Sequence, residues 1–436
     1  MVDRSSSLRR ELGLWALVAY GVGDILGAGI YALVGEVAGR AGQYAWLSFV
    51  VTIAVAGLTA LSYAELGSRF PNSGGEAFFC RKTIGWNWLA TLVGFSGVSS
   101  GGASLATVAR AFVGYLLDAL PEAVRSPTVE VLLLVGFIAV LGAINFWGIR
   151  QSSTINIVCT IVEAAGLVTV IVAGLIFLSN DGSVPPAQAA REPIMWWGVL
   201  QGSALAFFAF IGFEDMVNIS EEVKQPERNV PIAILAALSL AAIMYIAVSL
   251  VATAVVPPQQ LAASDAPLLE VVRRGLPNVS SWWFTAIALF AVANTGLLNF
   301  VMGSRLMYGM ARDRLLPGWL HAVHTKTATP HRTIGVVFAI AIALELSGKL
   351  VHLAGTTNVL LLTVFATVNV ALIVLKRKNV ESRSAFRIPA IVPLLGAASC
   401  VALITFAPWQ SQLTAVVMVA AAALVGAAFQ YKIART

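Results

Sequence analysis

This sequence is short of charge. Lys, Arg, Asp and Glu make up 11% of 436 residues, against ~25% in ordinary globular domains. That shortage excludes a chain of soluble domains. Only three cysteines are present, Cys80, Cys159 and Cys400, and they share no close spacing. This removes a disulfide framework and a cysteine metal site. The four histidines, His321, His324, His331 and His352, fall in or near loops and suggest no metal centre. No nucleophile–base pair and no phosphate-cradling loop is found, so neither enzyme chemistry nor a cofactor is expected. The formal charge of +6 has no clustered soluble basic face behind it, so nucleic acid is not an expected partner.

What is present is apolar length. Hydrophobic residues reach 58%, and runs long enough to cross a bilayer recur along the chain. Twelve spans are expected, at 12–38, 44–69, 86–117, 128–148, 154–178, 195–221, 231–256, 281–311, 332–350, 353–375, 389–407 and 412–431. The first apolar run is too long for a signal-peptide core and is read as an uncleaved span. An even number puts both ends on one side. With the N-terminus inside, the inner segments hold most of the 28 lysines and arginines, so both termini are expected in the cytoplasm, in the cytoplasmic membrane. Residues 257–280 read as a long outer loop with a short amphipathic helix, and KRKNVESRSAFRIP (376–389) as a basic inner linker. The linker divides a core of ten spans (1–376) from an accessory pair (377–436).

Two spans are broken by glycine. In YGVGDILGAGIYALVGEVAG (20–39) Gly21, Gly23, Gly27 and Gly29 crowd the middle. In WWGVLQGSALAFFAFIGFEDMVNIS (196–220) Gly212 precedes Glu214 and Asp215. An unpaired backbone amide or carbonyl costs several kcal/mol in lipid, so a chain unwinds there only where protein, ligand or water satisfies it. Glycine-interrupted spans at matching points of two halves point to a transporter's binding site. The competing reading is that these glycines only allow close helix packing, as small-xxx-small pairs do.

Three blocks carry a family resemblance. GVGDILGAGIYALVG in the first span, FFAFIGFEDMVNISEEVKQPERNVPIAI in and after the sixth, and NFVMGSRLMYGMARDRLLP at the eighth resemble the motifs of the amino acid–polyamine–organocation superfamily. In the third block Arg314 stands where that family usually has glycine. The resemblance runs from Leu8 to about Lys376 and implies an all-α membrane fold. That fold has twelve transmembrane helices, a LeuT-type 5+5 inverted repeat, and discontinuous helices 1 and 6. It also implies a substrate site. The substrate carboxylate would sit on the amides of Gly27, Ala28, Gly29 and Ile30, in keeping with the preference of helix N-termini for anions. Its amine would face carbonyls of Ile25, Phe208, Phe210 and Ile211 near Gly212. Phe208 matches an aromatic gate, while Gly101 and Ser104 would shape the side-chain pocket or simply pack.

Intramembrane acids are costly and usually functional, at ~2.5–3.5 kcal/mol each on insertion scales. Asp24 lies one turn before the first break. Glu163 stands mid-span, near where proton-coupled relatives carry a lysine, so it is expected either to hold a proton or to help hold a cation such as Na⁺. Glu214 matches a gating acid, and also suits the start of a half-helix. Asn294 and Thr295 would face Glu163, or else satisfy helix backbone. Glu65 is expected to pair with Arg69 one turn on, and Glu221, Glu222, Lys224 and Arg228 to form an inner charge network or a solvated loop.

The expected function is secondary amino acid transport, with H⁺ symport as the coupling, by a lipid-embedded monomer or homodimer. An exchanger of cationic amino acids or polyamines is the first alternative. A non-transporting sensor is the second; it usually needs a soluble signalling extension, which neither short terminus is expected to supply. Small or aromatic pocket residues (Ala28, Gly101, Phe208) lean toward a neutral substrate.

Overall fold

The computed structural model describes residues 12–71, 75–121, 125–147, 153–180, 194–220, 223–278, 280, 282–312, 314–324, 329–346, 350–378 and 386–433. Among these the chain is helical, and its sole β feature is a lone parallel bridge between Leu12 and Val223. The helices are α1 (Leu14–Ile25), α2 (Ala28–Ala41), α3 (Ala45–Arg69), α4 (Gly75–Thr83), α5 (Asn87–Ala119) and α6 (Pro127–Trp147). Next come α7 (Ser153–Ser179), α8 (Trp196–Ala206), α9 (Asp215–Asn218), α10 (Pro226–Val255), α11 (Pro258–Ala263) and α12 (Pro267–Gly275). The last five are α13 (Trp282–Arg312), α14 (His331–Glu345), α15 (Leu350–Arg377), α16 (Ile391–Thr405) and α17 (Trp409–Ile433).

Among the described residues the apolar stretches of the sequence are mostly helix. Eight helical stretches among the described residues are long and apolar enough to cross a membrane, or nine if the α16–α17 pair, bent by 116°, is one span. The protein is a multi-pass membrane protein. Its outside is apolar: Leu132 and Val140 of α6 and Ile161, Val172 and Leu175 of α7 are all exposed. Its interior takes the hydroxyls instead. Thr52 and Thr107 donate to the carbonyls of Ser48 (2.7 Å) and Ala103 (2.9 Å) one turn back, so these two hydroxyls are buried with their donors met.

The first and sixth stretches are each broken. Leu26 and Gly27 separate α1 from α2. α8 tightens into a 3₁₀ turn at Phe207–Phe210, then opens through residues 211–214 before the single turn of α9. The loop after α9 is tied to the chain's start, where the Lys224 amide donates to the Leu12 carbonyl at 2.8 Å. The 257–280 loop contains two short helices, α11 and α12. The second buries Leu268, Leu269, Val271 and Val272 and leaves Arg273 exposed.

Candidate substrate and coupling site

The two breaks touch each other twice. A Cβ on Gly29 would fall on the backbone of Ala209 in the 3₁₀ turn. A Cβ on Gly212 would sit 3.0 Å from the carbonyl carbon and 3.1 Å from Cγ of Asp24. Gly212 also has φ +123°, a backbone region where side chains are strained. Gly29 and Gly212 thus sit where two backbones approach closely. The helices they bring together are the broken ones.

The unwound backbone is not left open. The Ala28 amide, first of α2, donates to Oγ1 of Thr295 on α13 at 3.0 Å, and a Cβ on Gly27 would strike that same hydroxyl. The Ile25 carbonyl at the end of α1 accepts from the Tyr245 hydroxyl of α10. Asn358 of α15 donates to the carbonyls of Ala204 (2.6 Å) and Leu205 (3.3 Å) where α8 tightens. Side chains from three helices therefore supply the partners that an unwound segment in lipid requires. Phe210 is buried between Phe49 and Tyr245, with ring centroids 6.4 and 5.2 Å away, while Phe208 and Ile30 are buried close by in the chain.

Beside the break runs a cleft of about 60 Å³ whose walls include Gly101, Ser104, Ile211, Glu214, Asn299 and Gly303. Gly101 and Ser104 of α5 therefore share one cavity with the second break. Three carboxylates reach it, from Glu76, Glu214 and Asp215, and no lysine, arginine or histidine is among its lining residues. Glu214 folds back so that Oε2 accepts from the Gly212 amide at 2.9 Å, which holds the turn closed on itself. Glu76, on α4 outside the spans, accepts from the Tyr63 hydroxyl at 3.3 Å. Burial raises its pKa above the ordinary value, against the opposing hydrogen bond.

Glu163 is fully buried on α7. Its Oε1 accepts from Asn294 Nδ2 of α13 at 3.1 Å, and its Oε2 has no partner among the described residues. Its backbone carbonyl takes the Tyr31 hydroxyl at 3.0 Å, tying α7 to α2. Asp24 Oδ2 likewise lacks a partner among the described residues. The expected pairing of Asn294 with Glu163 is present. Thr295, one position on along α13, does not share it but serves the Ala28 amide.

The two breaks, Gly101 and Ser104 of α5 and the buried Glu163 of α7 are therefore gathered within one set of helices. The amino acid permease family profile matches residues 12–429. The chain belongs to the amino acid permease family. This permease is 33% identical over 415 residues to an uncharacterized transporter of Mycobacterium tuberculosis, covering 94% of this chain and 89% of that one. It is 30% identical to the methylthioribose transporter of Bacillus subtilis, covering 97% and 94%. It is 31% identical to a branched-chain amino acid permease of the same organism, covering 92% and 89%. The permease is accordingly a transporter and not an enzyme.

Other charged residues settle into structural pairs. Glu65 of α3, fully buried, pairs with Arg69 as the spacing indicates. It also holds Lys376 Nζ (2.7 and 2.8 Å) and the Ile388 amide (2.9 Å), contacts invisible in the sequence. Arg110 of α5 finds Glu345 of α14 at 2.6 Å and Glu130 of α6 at 3.5 Å. A lone arginine inside a span calls for a buried acid nearby; the sequence does not name that acid, and the structure shows it to be Glu345. Glu221 and Glu222 lie outside the described residues.

Proposed function

We propose that this permease is a secondary transporter that moves an amino acid across the cytoplasmic membrane by alternating access, driven by proton symport. In this reading twelve helices cross the bilayer with both termini cytoplasmic. Residues 1–376 form a LeuT-type core of two inverted five-helix repeats, and residues 377–436 add an accessory pair. The observation that carries it is the double contact of the two breaks, Gly29 on Ala209 and Gly212 on Asp24. A ligand seated there reports its presence to both broken helices at once.

The substrate carboxylate binds the amides of Gly27, Ala28, Gly29 and Ile30, favoured by the positive end of α2. Its ammonium binds carbonyls of Ile25, Phe208, Phe210 and Ile211. The hydroxyls of Thr295 and Tyr245, which hold the Ala28 amide and Ile25 carbonyl, are the partners that the substrate replaces. The side chain extends toward Gly101 and Ser104. Glu163 takes the coupling proton, with Asn294 orienting the carboxyl. Asp24 and Glu214 transmit the state of the site to the gate.

Ala28, Gly101 and Phe208 favour a small or apolar neutral amino acid, in line with the branched-chain permease among the relatives. A cationic substrate is the second reading, favoured by the three carboxylates of the cleft and the lack of a lysine, arginine or histidine in its lining. Thermal-shift screening against all amino acids and polyamines names the substrate class by mass action on the folded state. Proteoliposome uptake on a pH gradient then tests transport. Saturable accumulation of the hit is expected. No uptake or exchange with any compound of the panel overturns the proposal.

A further inference from the structure

Among the described residues, the basic ones at the end of α15 outnumber the acids paired with them. Glu65 is a single carboxylate, fully buried, yet it faces both Arg69 and Lys376. Lys376 is locked in place: its Nζ also donates to the Ile388 carbonyl at 2.7 Å. The next residue, Arg377, is exposed and has no ion pair among the described residues. Around Glu65 the cluster of Arg69, Lys376 and Arg377 thus carries an excess of positive charge. Lys378 adds a further cation, its Nζ bonded to the Thr83 carbonyl at 2.7 Å.

Below this charge lies an apolar groove. It runs between the last turns of α15 and the first turns of α16, with walls of Ile373, Lys376, Arg377, Ala390, Ile391 and Leu394 and a volume of about 360 Å³. Ile391 and Leu394 are both more than half exposed. Because α15 and α16 are apolar helices ending here, the groove opens at the level where a bilayer's hydrocarbon meets its headgroups. A cationic mouth over an apolar channel at that level matches one kind of molecule: a negative headgroup with an acyl chain attached.

We propose that this groove binds one anionic phospholipid. Its phosphate sits on the Arg377 guanidinium, with the Lys376 ammonium beneath. One acyl chain lies along Ile373, Ile391 and Leu394. The lipid thereby bridges α15 to α16, completing the joint that Glu65 makes through Lys376 and the Ile388 amide. Planar guanidinium suits phosphate well, since it offers paired donors in a fixed fork. The inference needs the membrane-spanning character of the chain but not the choice of substrate or coupling ion.

The test uses the purified full chain in neutral detergent. Its thermal midpoint is titrated with phosphatidylglycerol and, separately, with phosphatidylcholine of the same acyl chains. Phosphatidylglycerol is expected to raise the midpoint saturably and phosphatidylcholine not to. Arg377→Gln should weaken the apparent affinity roughly fivefold, the typical effect of one basic side chain near an anionic surface. Arg332→Gln, an exposed arginine at the start of α14, a helix packed on α5, α6 and α13, should leave the titration unchanged. Leu394→Trp fills the groove while keeping every charge, and should abolish the saturable response. Equal responses to the two lipids overturn the proposal. So does a loss in Arg332→Gln matching that in Arg377→Gln, or a wild-type titration by Leu394→Trp.

Discussion

Asn294 of α13 donates to Glu163 of α7 across 3.1 Å and satisfies only one oxygen of that carboxylate. The other, Oε2, is buried and unpartnered among the described residues. A buried polar atom without a partner costs about 1–3 kcal/mol, which a proton on that oxygen lessens. In the proposed mechanism this is the carboxyl that takes the coupling proton.

Glu163→Gln keeps an acceptor for Asn294 but has no proton to exchange. Substrate binding, read by thermal shift, should be preserved. Accumulation against a gradient in proteoliposomes should disappear, while substrate-for-substrate exchange persists. Loss of binding together with accumulation would instead place Glu163 at the substrate or at a bound cation.

Thr295→Val removes the hydroxyl that receives the Ala28 amide and leaves a near-isosteric side chain. Stability should fall by about 1–3 kcal/mol, the cost of an orphaned buried donor. Thr295→Ser restores the acceptor and should recover most of that loss. Chemical denaturation or calorimetry of the two variants checks the contrast.

Gly29→Ala places a methyl on the Ala209 backbone, and Gly212→Ala places one against Asp24 at φ +123°. Neither neighbour is the flexible end of a side chain. Each change should cost about 1–3 kcal/mol and abolish uptake. Gly57→Ala, whose added methyl meets nothing within 4 Å, is the control and should transport normally.

Glu76 gives a pH dependence of known sign. Burial raises its pKa above the ordinary 4.5, opposed by the Tyr63 hydroxyl. Glu214 across the cleft and Cys80 on its own helix are the other titrating groups whose charges it meets. The folded chain therefore holds this proton more tightly than the unfolded chain. The stabilising contribution is full below the unfolded value and is lost as pH rises through the folded one. Glu76→Gln should flatten the fall in thermal midpoint as pH rises above the ordinary carboxylate range.

Arg314 occupies the left-handed region, with φ +61°, just past the end of α13. Glycine, the residue usual at this motif position, takes that conformation without a side-chain penalty, whereas other residues pay roughly 1–2 kcal/mol. Offset by the freedom glycine gains in the unfolded chain, Arg314→Gly should stabilise by about 0.5–1 kcal/mol. A raised thermal midpoint with unchanged transport is the expected result.

How much of this was legible in the sequence varied with the range of the interaction. The breaks at Leu26–Gly27 and after Phe210 were readable because a local glycine pattern interrupts a local hydropathy pattern. The Glu65–Arg69 pair followed from helical spacing. What stayed hidden was long-range. Thr295 lies 267 positions from Ala28 and Lys376 lies 311 from Glu65, and no periodicity records such a partner. The cleft's third carboxylate, Glu76, was missed because α4 reads as a loop segment of mixed polarity. The packing of that helix against α5 and α15 brings it to the cavity.

The hydroxyls of Thr295 and Tyr245 give the first break a further property. A ligand that binds the Ala28 amide and the Ile25 carbonyl must evict two groups already bonded there. Recognition at these positions is then an exchange of partners, with little net gain in hydrogen-bond enthalpy. A molecule that offers only one of the two replacements exchanges a single hydroxyl, and the other stays on its backbone group. In the proposed seat, a molecule bearing a carboxylate and an amine on one carbon frees both hydroxyls at once and so loosens α13 and α10 from the break together.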